Sequence, residues 1–384
     1  MNDMTTTIQG RVLTPAGFVD GEIAIGAGGR IAAVTGTPVP HGAARDTTRP
    51  LVLPGFIDLH VHGGGGHDIM EGGDAAAHVA RLHARHGTTA MLATTMTAPI
   101  GDLELAFGAL QGVLARGNGR GDGDGARILG VHLEGPYINA GKLGAQPDYA
   151  RPVLADEIVR LHALAPIKLI TLAPETAGNM QVIEALVAAG HRVQLGHTLG
   201  TYDDAVNAMR RGASGYTHLF NAMSAMHHRE PGMVGAALAH ATYAELIPDL
   251  LHVHPGAIRV ALRAIPCLYC VTDSTSAAGM PDGDYKLGRH TVTKCLGGVR
   301  LADGTLAGST LTMDQALRNL VDTLGLDLAD ASRRVSTYAA DHLGLAERGR
   351  LVPGAYADLA VLDRDLQLNR VYVEGKPIEL AHAG

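Results

Sequence analysis

The chain has 384 residues, 46% of them apolar, and a formal net charge of −7. That length allows one large domain and a smaller one. The acidic balance and the lack of a long basic run argue against nucleic acid as the main partner, and no apolar run of about 18 residues is present to span a membrane.

Three cysteines, Cys267, Cys270 and Cys295, are too few for a secreted disulfide framework. The start, Met1 to Thr5, lacks a charged-then-apolar leader, so a cytoplasmic protein is expected. Residues 8 to about 53 read as short strands with glycine turns, among them Gly21 to Ile25 and Arg30 to Val34. The far end is similar, with Ala357 to Leu362 and Arg370 to Gly375 running apolar or alternating between turn residues. Both ends are therefore expected to pair into one small β-sandwich domain, residues 1–53 plus 346–384, leaving 54–345 as the larger domain.

That middle alternates strand-like and helix-like segments. Strands are expected at Gly87 to Thr94, Arg127 to Leu133, Ile167 to Leu172, Val193 to His197 and Leu268 to Asp273. Helices are expected at Asp102 to Ala115, Asp156 to Leu164, Asn179 to Ala189 and Thr201 to Arg211. Repeated βα units with buried strands imply an α/β fold with a parallel sheet, and about 290 residues of it suggest a (β/α)8 TIM-like barrel. The rival, a doubly wound open sheet, would carry a glycine-rich phosphate loop after its first strand, where this chain has His60-Val61-His62. Gly117 to Gly125 reads as a flexible surface loop, because the full ligand pattern of a calcium loop is missing. Gly279 to Gly283, with Pro281, reads as a mobile loop beside Asp273.

Chemistry is concentrated at strand ends. His60 and His62, two apart on a strand, point the same way. Glu134 ends the apolar run Leu129 to Leu133, and a buried carboxylate is costly unless it is paired or bound to metal. His197 and His218 follow or precede apolar runs, and Asp273 follows Val271-Thr272. Taken singly, each is as well explained as a satisfied histidine, a salt-bridged carboxylate or a helix cap. Taken together on a barrel, they converge at one mouth. Their nitrogen and oxygen donors suit zinc, iron or a related divalent ion. Glu134, His197 and His218 would hold one ion, and His60 and His62 a second bridged by Glu134. Asp273 would be left as general base for a water whose pKa the ion lowers. Cys267-Leu-Tyr-Cys270 has CxxC spacing but enters a buried strand without a second pair, and reads as core thiols.

Further runs sharpen this. Pro-Gly-Phe-Ile-Asp-Leu-His-Val-His-Gly-Gly-Gly-Gly (54–66), His-Leu-Glu-Gly-Pro-Tyr-Ile-Asn (132–139), Leu-Gly-His-Thr (195–198), Thr-His-Leu-Phe-Asn-Ala-Met (217–223), His-His-Arg-Glu-Pro-Gly (227–232), Val-Thr-Asp-Ser-Thr-Ser-Ala-Ala-Gly (271–279) and Gly-Thr-Leu-Ala-Gly-Ser-Thr-Leu-Thr-Met (304–313) stand in family order over most of the chain. With them the chain resembles the amidohydrolase superfamily and, within it, the family of deacetylases of N-acetylglucosamine 6-phosphate.

The resemblance implies that Glu134, His197 and His218 bind the catalytic ion, and that Asp273 takes a proton from water and passes it to the leaving amine. Asn221, Ala222 and His252 would meet the sugar phosphate, and Ala145, Leu306, Ala307 and Gly308 would line the sugar pocket. Arg229 would reach the phosphate of a neighbouring subunit, which implies a homodimer. Retention of His60 and His62 favours two ions per subunit, or one with a weak second site. Gln146 stands where family members often have His, which bears on sugar contacts and on the choice between gluco and galacto epimers. The rivals are an N-acetylgalactosamine-6-phosphate deacetylase, another amidohydrolase, and a non-catalytic barrel scaffold.

Overall fold

The computed structural model describes residues 6–116 and 123–380; the polar start and most of the glycine-rich stretch 117–125 lie outside the described residues. Six strands, Phe56–Val61, Thr88–Thr95, Arg127–Glu134, Ile167–Leu172, Arg192–Leu195 and Gly215–Tyr216, lie in that order in one parallel sheet. The helices Ala75–Arg85, Ile100–Ala115, Ala155–Leu164, Asn179–Ala188 and Tyr202–Arg210 make the returns that parallel strands require. Thr88–Thr95 is buried at every position, as befits a strand covered on both faces. The turn from strand to helix is encoded locally. Thr201 accepts from the Asp204 backbone N–H while the Asp204 carboxylate accepts from that of Thr201, a reciprocal cap that starts Tyr202–Arg210.

Two further parallel strands follow, Tyr243–Leu246 and Cys267–Cys270, with the helix Pro255–Ala264 between them. Backbone bonds tie them to the six-stranded sheet at both sides. Leu219 N–H donates to the Glu245 carbonyl at 2.9 Å, and Asp273 N–H donates to the His60 carbonyl at 2.9 Å. The residues just past the strand ends are thereby gathered on one side.

The two ends of the chain meet in a seven-stranded sheet. Leu51–Pro54 runs parallel to Thr6–Thr14 and antiparallel to Leu359–Leu362. Alternation along the strands decides which face each side chain serves. Val52, Leu359 and Val361 pack with Ile23 and Ile31 in a cluster of the sheet's own, whereas Leu51, Leu53, Ala360 and Leu362 join the main core. Buried Arg348 pairs with Asp358 and Glu374, and Glu374 also takes Arg127, the first residue of a parallel strand. That ion network fastens one sheet to the other.

Between Asp273 and Gly308 the chain forms a three-stranded antiparallel sheet, Gly283–Leu287, His290–Cys295 and Gly298–Arg300. The sequence signals only the loop Gly279 to Gly283 in this stretch, and the strands that follow it carry no clear pattern. Its strands are three to six residues long with exposed alternate positions, a pattern too short for periodicity to separate from loop. No helix among the described residues is long and apolar enough to cross a membrane.

Candidate metal centre

His60 and Glu134 lie on buried strands, and His62, His197, His218 and Asp273 sit just past strand ends. His197, His218 and Asp273 have φ of 48°, 29° and 50°. Left-handed backbone at a non-glycine residue costs about 1–3 kcal/mol and persists only where the surroundings over-determine it. Here it turns three polar side chains into one cavity. Gly308 permits the tight approach beside them: at φ 64°, a Cβ there would lie 2.9 Å from the Asp273 carbonyl oxygen.

The converging atoms form a compact triangle. Glu134 Oε1 lies 3.1 Å from His197 Nε2 and 3.1 Å from His218 Nε2, and the two nitrogens are 3.0 Å apart. The other oxygen of the same carboxylate, Oε2, lies 3.1 Å from His62 Nε2 and 3.4 Å from His60 Nε2. Asp273 Oδ1 is 3.3 Å from each of those two nitrogens. Ligands of a tetrahedral ion at about 2.0–2.1 Å stand roughly 3.3 Å apart. The donor set therefore fits one ion held by Glu134, His197 and His218, and His60 and His62, with Asp273 Oδ1 and Glu134 Oε2 beside them, could hold a second. Imidazole nitrogens facing each other at this distance repel unless a cation or a proton lies between.

Tautomers are set from behind. His197 Nδ1–H donates to the Lys142 carbonyl at 2.7 Å, which leaves Nε2 bare toward Glu134. Gln146 Oε1 accepts from the Thr97 N–H at 2.7 Å, so its amide nitrogen faces Glu134 Oε2, at 2.6 Å. Gln146 is thus a direct partner of the bridging carboxylate.

Each carboxylate is stabilised by the imidazoles around it. Burial alone would raise Glu134, but His60, His197 and His218 outweigh it and hold the carboxyl well below its usual range. Burial likewise opposes ionisation of Asp273, and His60 and His62 hold its pKa down at about 2. Burial would lower His62, yet Asp273 and Glu134 raise it to about 9. A divalent cation held by the same groups would take the place of the proton that His62 favours.

A third cluster, His60, His132 and Glu245, lies beneath. Its donors are engaged within the protein: His132 Nε2 meets Thr171 Oγ1 at 2.7 Å and Glu245 Oε2 accepts from His60 Nδ1–H at 3.0 Å. It is a hydrogen-bonded floor to the site.

The model of the amidohydrolase family matches residues 51–378. The chain belongs to the amidohydrolase family. It is similar to the N-acetylgalactosamine-6-phosphate deacetylase of Escherichia coli O157:H7, at 38% identity over 373 residues covering 95% of this chain and 97% of the relative. It is also similar to the N-acetylglucosamine-6-phosphate deacetylase of Lysinibacillus sphaericus, at 38% identity over 85% of each chain. Among solved structures, the N-acetylglucosamine-6-phosphate deacetylase of Thermotoga maritima superimposes with a TM-score of 0.89 at 30% identity, covering 98% of this chain and 100% of that one. A variant of the Mycobacterium smegmatis enzyme, in complex with N-acetyl-D-glucosamine-6-phosphate, gives 0.88 at 33% identity over 98% and 100%.

As an amidohydrolase this chain is a metal-dependent hydrolase of amide bonds. Its cavity, of about 360 Å³, is of the size that takes a small ligand. Of the residues singled out from sequence, His62, Glu134, His197, His218 and Asp273 line it, as do Ala145, Asn221, Ala222, His252, Leu306 and Gly308. His60 lies fully buried just behind the lining. Two fall elsewhere. Ala307 is buried in a small apolar cluster with Met96, Leu287 and Val299, its backbone N–H donating to the Val299 carbonyl at 3.0 Å. Arg229 is exposed, bonded to His228 Nε2 at 2.8 Å, and does not line the cavity of its own chain. Sequence reasoning missed Lys142, Leu287 and Thr305 in the lining. It also missed Glu245, although Ala244-Glu245-Leu246-Ile247 repeats the pattern that drew attention to Glu134: one carboxylate within an apolar strand. The cysteines are free, and burial pushes the Cys270 thiol up to about 12, so the CxxC pair has no reactive thiolate at that position.

Proposed function

We propose that this chain deacetylates N-acetylglucosamine 6-phosphate, giving glucosamine 6-phosphate and acetate, in amino-sugar catabolism or cell-wall recycling. The observation that carries it is the triangle of Glu134 Oε1, His197 Nε2 and His218 Nε2, with Asp273 across the same cavity. The relatives named above supply the substrate class. Zinc suits the nitrogen and oxygen donors best, with iron as the alternative, at one or two ions per subunit.

The residues divide the work. A divalent ion, when bound, makes a water acidic near neutral pH and polarises a carbonyl. With such an ion held by Glu134, His197 and His218, Asp273 Oδ1 would accept a proton from the attacking water as the water's oxygen bonds the acetyl carbon. It gives the proton to the amine nitrogen as the carbon–nitrogen bond breaks. Asn221 and His252 serve the phosphate end. His252 suits this because Asp249 Oδ2, 2.6 Å from its Nδ1, overcomes burial and raises its pKa, which favours a cationic ring. Arg229 serves the phosphate in a neighbouring subunit of a homodimer, where a guanidinium fork suits the anion. Ala145, Leu306 and Gly308 bound the sugar ring. We read the parallel strands as staves of a (β/α)8 barrel over residues 54–345, with residues 1–53 and 346–384 as the small β domain, and the protein as cytoplasmic.

A second reading is deacetylation of N-acetylgalactosamine 6-phosphate. It is favoured by the Escherichia coli relative, which this chain matches over nearly its full length. Steady-state assay on both phosphorylated epimers, with ion content measured in the same sample, separates the two. A higher kcat/KM on the galacto epimer would replace the first reading with the second, and turnover of neither would remove both.

A further inference from the structure

Glu245 is a fully buried carboxylate to which the reaction above gives no task. It lies on the strand Tyr243–Leu246, one layer below the cavity lining. Four hydrogen bonds converge on it. Its Oε2 accepts from His60 Nδ1–H at 3.0 Å and from the backbone N–H of His218 at 3.2 Å. Its Oε1 accepts from the Tyr269 hydroxyl at 3.4 Å, which in turn accepts from Gln194 Nε2 at 2.5 Å. Its own carbonyl accepts from Leu219 N–H at 2.9 Å.

The consequences fall on both candidate ion sites. An acceptor at Nδ1 forces the His60 proton to that side and aims a bare Nε2 at Glu134 and Asp273. A carboxylate in this place also raises the basicity of the ring as a ligand, and losing such a partner typically costs 10–100-fold in metal affinity. At the other site, His218 holds φ 29°, a strained backbone that its own sequence does not favour. Glu245 grips that turn twice, through side chain and through backbone, at two successive residues. The geometry points to Glu245 as the positioning residue of the metal centre: one buried carboxylate that orients His60 for one ion and pins the His218 turn for the other. The inference rests on the metal reading above.

The test uses the full-length protein stripped with chelator and titrated calorimetrically with zinc(II), as wild type, Glu245→Gln, Glu245→Asp and His60→Ala. The His60→Ala variant identifies which binding step belongs to His60 and His62. Glu245→Gln keeps shape and an acceptor but loses the charge. It is expected to weaken the His60 step by about ten- to a hundredfold and, because the amide oxygen still accepts from the His218 backbone N–H, to leave the other step within about threefold. Glu245→Asp retains the charge one methylene further back and is expected to recover part of the loss, which keeps the test open should the Gln variant fail to fold. Urea midpoints of the ion-free proteins are read alongside. A midpoint that falls while both zinc affinities stay at wild-type values would reduce Glu245 to a structural role and overturn the inference. A wild type that binds one ion, insensitive to His60→Ala, overturns it while leaving a metal centre standing. A wild type that takes up no zinc overturns both.

Discussion

Asp273→Asn isolates proton transfer from everything else Asp273 does. Asp273 has φ 50°, a region that Asn tolerates better than other non-glycine residues, so the backbone should not relax. Its backbone bonds, N–H to the His60 carbonyl at 2.9 Å and carbonyl from Ser309 N–H at 2.7 Å, do not involve the side chain. Oδ1 stands 3.3 Å from His60 and His62, while the triangle of Glu134, His197 and His218 does not include it. The variant should therefore keep the ion in that triangle and lose the proton acceptor. General acid–base catalysis contributes roughly 10²–10⁴-fold, about 3–5 kcal/mol of barrier. The expected result is kcat lowered by at least about a hundredfold, with KM changed little, measured as amine release from N-acetylglucosamine 6-phosphate alongside ion content. Unchanged kcat with ion content intact would remove Asp273 from the chemistry. Loss of the ion would show instead that Asp273 is chiefly a ligand.

Other expectations are independent of that one. Arg229→Ala should raise KM for the phosphorylated sugar by about 10–100-fold, the scale of one charge-assisted hydrogen bond, and leave the unphosphorylated sugar unaffected; equal effects on both would refute its phosphate role. His83 is buried, with Nε2–H donating to the Gly63 carbonyl at 3.0 Å, and burial lowers its pKa to about 4. A pKa depressed below the unfolded value of about 6.5 gives stability that is complete above pH 6.5 and lost as pH falls toward 4, here about 3 kcal/mol. His83→Gln should flatten that part of the stability profile, and an unchanged urea-midpoint slope between pH 6.5 and 4 would contradict it. Zinc at about a hundred times its Kd should raise unfolding free energy by about 3 kcal/mol in the wild type, and a chelator should abolish the gain; a midpoint indifferent to both would count against a folded-state site.

The βα alternation was legible because buried parallel strands carry little charge and are rich in apolar and β-branched residues, as Thr88–Thr95 and the interior of Arg127–Glu134 are. The polar residues at their ends were legible for the same reason: Glu134 and His60 stand out where everything beside them is apolar. What sequence did not yield were properties of three-dimensional approach. Ala307 and Leu306 are neighbours in sequence, yet Leu306 lines the cavity while Ala307 packs with Met96 and Val299, a division that appears only once the loop is folded. Gln146 reaches Glu134 from a loop, through a bond that no spacing rule encodes. Glu245 carries a sequence signal equal to that of Glu134, but its partner His60 lies 185 residues away, so its role is visible only once the strands are laid side by side.

The most direct measurement is metal content per chain, by elemental mass spectrometry, of protein purified without added ions, with Glu134→Gln prepared in parallel. At least one divalent ion per chain is expected in the wild type, and near-complete loss, together with loss of deacetylation, in the variant, because both candidate sites share that carboxylate. A metal-free wild type that still deacetylates, or a Glu134→Gln protein that keeps its full complement of ions, would contradict the assignment of Glu134, His197 and His218 as the centre of this enzyme.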